Sequence, residues 1–250
     1  MKSKNGVGLI SLSNSNAPGP IKLTTELSIN TQQAKLLVIG REPKGGKNII
    51  MGLRGFSKLV NGIYTSAKLD DPFADLTLFK IETIMDEGKA FINSRIDYYR
   101  RQIEQNSCQK IFESVNPKPW KIRLGFSHPY GYKLADLILA YDNLMCTMLT
   151  GRHIGLLENK ALMTKDSGRA KKYVRSITGL AMHWKNYNVT RRDVNESSAI
   201  AKNALSFYQH HYSNKQIFDV ISRVVLPKYG PLTLADRRSD GKINLPHILA

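Results

Sequence analysis

The chain has 250 residues, 42% of them hydrophobic with a full set of aromatics, which suffices for a sizeable core and argues against global disorder. No apolar run approaches the roughly 20 residues needed to span a bilayer, and Cys108 and Cys146, the only cysteines, make neither a disulfide framework nor a zinc site by themselves. The formal net charge is +17, and +10 of it falls between Lys118 and Arg192, where fourteen Lys and Arg stand against four Asp and Glu.

Residues 1–20, rich in Ser, Asn, Gly and Pro, read as a mobile arm. The N-terminus is basic but lacks the apolar stretch and cleavage site of a signal peptide, so the expected location is the cytoplasm. Residues 21–29 alternate, with Ile21, Leu23, Leu27 and Ile29 on one face, and predict a short strand. A helix over Thr31–Ile39 follows, then Gly40 and a loop from Arg41 to Lys47. Asn48 to about Ala67 reads as helical despite Gly52, Gly55 and Gly62. Asp71-Pro72 is a strong helix start, because Asp accepts from orphan amides and Pro fits the first turn; this helix runs to about Gln105. Asn116-Pro117-Lys118-Pro119 then breaks the chain.

Trp120 to Phe126 alternates cleanly: Trp120, Ile122, Leu124 and Phe126 face one way, Lys121, Arg123 and Gly125 the other. Ser127-His128-Pro129 opens a helix over about 130–150, whose apolar stripe runs from Leu134 to Leu149. A further helix over about 166–184 lines Ala170, Val174 and Ile177 along one face, with Arg169, Lys171, Lys172 and Arg175 around the rest. Thr190–His211 and Lys215–Val225 also read as helices, and residues 236–250 as a loose tail. No internal repeat at a fixed period is visible. The expected fold is therefore mostly α with a small β-ribbon, a single domain over 21–235.

Concentrating like charge disfavours a compact chain, and a polyanion offsets that cost by releasing condensed counterions. The local excess points to nucleic acid. An anionic membrane would call for a separate basic amphipathic helix or polybasic tail, whereas here the cations interleave with core-forming positions. Signs of catalysis are weak. Gly40–Asn48 resembles a phosphate-binding loop only loosely, with the first Gly one position early and Asn48 where a hydroxyl should hold magnesium. Asp70, Asp71 and Asp75 cluster, but capping accounts for Asp71 and the first helical turn suits Asp75. The six histidines lack ligand spacing. No enzyme activity and no cofactor are expected.

The segment 119–126 has the pattern of a strand that packs apolar side chains on helices and presents Lys121 and Arg123 outward. A two-stranded ribbon of this kind fits the major groove, where Lys and Arg donate to guanine O6 and N7. One such strand requires a partner, and a twofold mate would supply it, hence a homodimer. An ordinary solvated strand has the same pattern, and residues 21–29 form a rival ribbon in which Glu26 would repel phosphate. Residues 154–165 also separate the two helices by more than the short turn that a compact ribbon-helix-helix motif uses. Under this reading Lys121 and Arg123 contact bases, while Lys118, Lys133, Arg169, Lys171, Lys172 and Arg175 hold phosphates, aided by the amides at the start of the helix from Asp166. The alternative is an accessory protein of a DNA-processing complex that binds single strands on Tyr130, Tyr132 or Trp184. A nuclease would use Asp71 and Asp75.

The chain resembles the AcaB family of transcriptional regulators of conjugative plasmids and integrating conjugative elements. The resemblance rests on Thr31-Gln32-Gln33-Ala34, Gly40-Arg41, Ile50–Phe56, Asp70–Asp75, Phe126–Tyr132, Leu149–Leu157 and Val189–Val194, in that order. It implies a DNA-binding activator of conjugative transfer genes with a ribbon-helix-helix-like DNA-binding element. The expectation is a dimeric protein, that element embedded in a larger helical domain, that occupies promoter double-stranded DNA and recruits or assists RNA polymerase. The resemblance assigns no residue a role.

Overall fold

The computed structural model describes residues 23–42, 49–107, 111, 114 and 116–232. The arm over 1–20, the tail over 236–250, most of the loop between Arg41 and Lys47, and Cys108 lie outside the described residues. The element order is β1 (Thr25–Ile29), α1 (Gln32–Ile39), β2 (Gly40–Arg41), β3 (Ile50–Met51), α2 (Leu53–Lys68), α3 (Pro72–Gln105), β4 (Trp120–Leu124), α4 (Pro129–His153), α5 (Lys160–His183), α6 (Arg191–Asn195), α7 (Ala199–Gln209) and α8 (Asn214–Ile221).

Local chemistry sets most boundaries. Thr31 caps α1 by accepting from the Ala34 amide at 3.3 Å. The α4 carboxylate Asp142, itself buried, holds that cap in place by accepting from the Thr31 amide at 2.9 Å, the Thr31 hydroxyl at 2.6 Å and the Asn30 amide at 2.8 Å. Gly40 ends α1 at φ +80°, and a Cβ there would meet Ile50 O at 2.4 Å, so the tight β2–β3 pairing needs glycine. That pairing takes Ile50 and Met51 out of the helix expected from Asn48, and α2 starts after Gly52. Asp71 caps α3 as expected, accepting from Phe73 N at 2.8 Å and Ala74 N at 3.2 Å.

Helix α5 begins at Lys160, earlier than the expected Asp166, because the Asn159 side chain accepts from Leu162 N at 2.9 Å. The link from α4 thereby shrinks to the six residues 154–159, of which 154 and 155 form a turn. The expected helix over Thr190–His211 is two: the Thr190/Asp193 capping box starts α6, Ser197 at φ +55° stops the run, and Ser198 caps α7. Leu23 and Leu149, both assigned to apolar faces, are exposed.

Helices α2, α3, α4 and α5 pack on one another around the main core, which includes Leu53, Phe56, Leu78, Ile81, Tyr130, Ile138, Tyr141 and Ile177. A second core joins Phe73 and Leu76 of α3 to α6, α7 and α8, with Phe73 stacked on Tyr208 at 4.6 Å. Arg191 fastens this second core to the start of α3: its guanidinium meets Asp70 Oδ1 at 2.5 Å and Asp75 Oδ2 at 2.7 Å. The chain after α8 is pinned by buried Glu82, which accepts from Lys228 N, Tyr229 N and the Tyr130 hydroxyl at 2.7–2.8 Å.

Strands β1 and β4 pair antiparallel, in the register Thr25↔Leu124, Glu26↔Arg123, Leu27↔Ile122, Ser28↔Lys121 and Ile29↔Trp120. The pairing is centred on Leu27↔Ile122, and among the described residues the sheet has only these two strands. Each strand leads into helices: β1 into α1 and, after β2 and β3, α2; β4 into α4 and α5. Helix α2 touches α5, and α1 touches α4.

Candidate nucleic-acid interface

The ribbon sits on the main core through Leu27, Ile29 and Leu124, which are buried, and Trp120 and Ile122, which are half-buried. The period of two then forces Lys121 and Arg123 outward, and both are exposed. Glu26 and Ser28 share that outward face from β1. Arg123 lies directly opposite Glu26, and Lys121 Nζ reaches Glu26 Oε1 diagonally at 3.0 Å. Below the ribbon, Lys35 of α1 lies over the Trp120 ring at 5.5 Å. Tyr132 closes one end: its hydroxyl accepts from Phe126 N and donates to Leu23 O, each at 3.0 Å.

The expected twofold mate of β4 is thus corrected. The strand's partner is β1 of the same chain, because the two have complementary apolar faces and stand over one core. The argument for a homodimer rested on an unpaired strand and falls with it. The amides of the Asp166 turn are likewise unavailable to phosphate, since Asp166 is inside α5. Its carboxylate is buried, accepting from the Tyr99 hydroxyl at 2.7 Å and pairing with Arg95 Nη2 at 2.6 Å.

The remaining cations divide. Lys118 is exposed on the turn that enters β4, where its amide donates to Asn116 Oδ1 at 2.9 Å and the Asn116 side chain in turn donates to Asn30 O at 3.1 Å, tying this turn to the end of β1. Lys171 Nζ donates to Gln33 Oε1 of α1 at 3.3 Å. Burial and the neighbouring Arg175 push the Lys171 ammonium below its ordinary pKa. These two cations, four apart on α5, lie on its flank toward α1, three residues beyond the ribbon. Arg169 and Lys172 take the other flank. With Ile84, Glu87, Tyr173 and Ser176 they line an open groove of about 400 Å³ between α3 and α5, and the Arg169 guanidinium lies over Phe91 at 4.5 Å. Lys133 is apart from both groups, over the Tyr229 ring at 4.5 Å, where its ammonium holds the Tyr229 phenol below its ordinary pKa. The single basic surface read from composition is therefore several surfaces, because the 3.6-residue period distributes neighbours around α5.

The clustered acids are structural. Burial raises both Asp71, to about 6, and Asp75, the latter opposed by Arg191. Tyr130, a candidate stacking platform for single strands, is fully buried against Glu82. Sequence reading passed over Lys35 and set Glu26 aside as repulsive; only the register shows that Glu26 faces Arg123 and lies within reach of Lys121.

The sequence model of the family described as "Transcriptional regulator AcaB" matches residues 17–231. The chain belongs to the AcaB family. That family is one of transcriptional regulators. A crystal structure of selenomethionine-containing AcaB from uropathogenic E. coli is similar to this AcaB-family chain at 14% identity, over 83% of this chain and 100% of that one, with a TM-score of 0.45. No curated protein matches it. Among the described residues, no helix is long and apolar enough to cross a membrane.

Proposed function

We propose that this AcaB-family protein regulates transcription by inserting the β1–β4 ribbon into the major groove of promoter DNA. The observation that carries the reading is a two-stranded ribbon that buries one face on the helices and raises Lys121 and Arg123 on the other. A two-stranded ribbon fits the width of the B-form major groove, and Arg or Lys can donate to guanine O6 and N7. Strand β1 is followed by α1 and, after β2 and β3, by α2, while β4 is followed by α4 and α5, so that one chain carries two strand-and-helix-pair segments on a single ribbon, which supports a ribbon-helix-helix-like reading. The six-residue 154–159 link is half the spacing expected from the sequence and favours such a motif. In this reading Lys118, on the turn into β4, and Lys171 and Arg175, on the flank of α5 that meets Gln33 of α1, hold phosphates, with Lys35 over Trp120 as a further cation. Arg169 and Lys172 lie on the other flank of α5, and Lys133 is engaged by Tyr229, so these three have lesser roles. The protein acts without cofactor or turnover, and the controlled genes are those of conjugative transfer, with activation through RNA polymerase.

Competition binding of the specific duplex against random duplex tests this. Arg123→Ala should reduce the preference for the specific site by about 1–3 kcal/mol. Lys171→Ala should weaken both duplexes alike and lower the salt slope by about 1. An unchanged specific-to-random ratio for Arg123→Ala rejects the ribbon as the reader. Transcript changes on deleting the protein, set beside a map of its bound DNA, test the regulatory part.

A further inference from the structure

The outward face of the ribbon is chemically lopsided. Strand β4 presents two cations, Lys121 and Arg123; strand β1 presents Glu26 and the hydroxyl of Ser28 at the facing positions. In a ribbon built from two identical chains every outward residue is repeated by symmetry, whereas here the two strands carry different groups.

Glu26 is costly in this place. A carboxylate on a surface that meets phosphates lowers affinity for any DNA. It is not needed to hold the fold: its side chain is 48% exposed, its ion-pair partner Lys121 is 58% exposed, and an exposed pair of this kind adds little stability. Register places it across from Arg123, so the two side chains stand roughly 5 Å apart at Cβ on one face. The edge of a G·C pair offers the matching chemistry. Guanine N7 and O6 accept, and the cytosine N4 amine beside them donates. An Arg and a Glu set side by side complement that acceptor–acceptor–donor row, and the Lys121 contact at 3.0 Å holds the carboxylate on the outward face before DNA arrives.

We propose that Glu26 is a base-reading residue that accepts from a cytosine amine, and that one chain therefore recognises a DNA element without internal twofold symmetry. This rests on the ribbon reading above and assigns it a second strand with a different readout.

The test is selection from a random duplex library by the full-length wild type, Glu26→Gln and Arg123→Ala, with thermal melts to establish that each variant is folded. The wild type should select an asymmetric element. Glu26→Gln should keep every preferred position but one; there the preference for cytosine should fall about tenfold or turn toward adenine, whose N6 and N7 suit a carboxamide. If Glu26→Gln tightens all duplexes alike with every preference intact, or if the wild type selects a palindrome, this inference is overturned while the ribbon reading stands on Arg123. If Arg123→Ala also leaves the selected element unchanged, the ribbon reading falls and this inference with it.

Discussion

Asp71 shows how one side chain settles a helix and acquires a pH dependence in doing so. Its carboxylate caps the 34-residue α3 through two backbone amides and is itself buried, which pushes its pKa up to about 6. A carboxyl that binds its proton more tightly folded than unfolded favours folding most below about pH 4, and that contribution fades as pH rises through about 6. His128 runs the other way. Its Nε2 lies 2.9 Å from Ser57 O, its ring stacks on Tyr64 at 5.9 Å, and burial lowers its pKa. The stability it contributes is present above about pH 6.5 and is lost as pH falls below that value. Asp71→Asn isolates the first effect, because the carboxamide oxygen still caps. Melting temperatures between pH 4 and pH 7 should show the wild type losing ground to Asp71→Asn as pH rises. A difference that stays flat across that range would show that Asp71 does not titrate there.

At the scale of elements, the point of interest is the attachment of α6 to the start of α3. Arg191 is buried, and its fork spans Asp70 and Asp75 while Nη2 also donates to Val220 O at 3.0 Å. Arg223 adds a second contact to Asp70 Oδ1 at 2.7 Å. Removing one partner of a buried ionic cluster leaves uncompensated charge, so Arg191→Met should cost about 3–5 kcal/mol in urea unfolding. Arg191→Lys should recover little of it, since an ammonium lacks the planar fork. Hydrogen exchange should rise first in α6, α7 and α8, the helices of the second core. Equal exchange gains in α2 and α4 would show that the two cores do not separate. Arg191 and the three acids were all visible in the sequence, but their meeting was not, because 116 residues separate Arg191 from Asp75 and no local pattern links them. The caps were legible for the opposite reason: Asp71-Pro72 acts within three residues of itself. Some local signals were missed, such as the Asn159 cap of α5 and the Ser197–Ser198 break between α6 and α7; elsewhere a tertiary partner had intervened. Ile50 and Met51 left their predicted helix because Gly40 and Arg41 offered a strand edge.

For the whole molecule, the pairing of β1 with β4 decides how many chains a binding site needs. Ninety residues separate the two strands, yet Leu27 and Ile29 of β1 and Leu124 of β4 pack into one and the same main core. With both strands of the ribbon in hand, one chain should saturate the shortest duplex that binds at full affinity. The mass of that complex, measured by light scattering or sedimentation, checks this directly. Two chains on such a duplex would show that the reading unit is intermolecular after all.

Periodicity by itself determined that Lys121 and Arg123 face outward and that Trp120, Ile122 and Leu124 face in, because alternation along a strand is a property of the backbone and needs no partner. Composition determined the cationic stretch, the Asp71 cap determined where α3 begins, and Pro129 in the first turn marked the start of α4. The strand that lies beside β4, the acid that faces Arg123 and the division of the α5 cations between two flanks were decided only by the tertiary structure. Each depends on contacts between segments far apart in the chain, and those are chosen by which apolar faces can be buried together, not by any spacing a single segment carries.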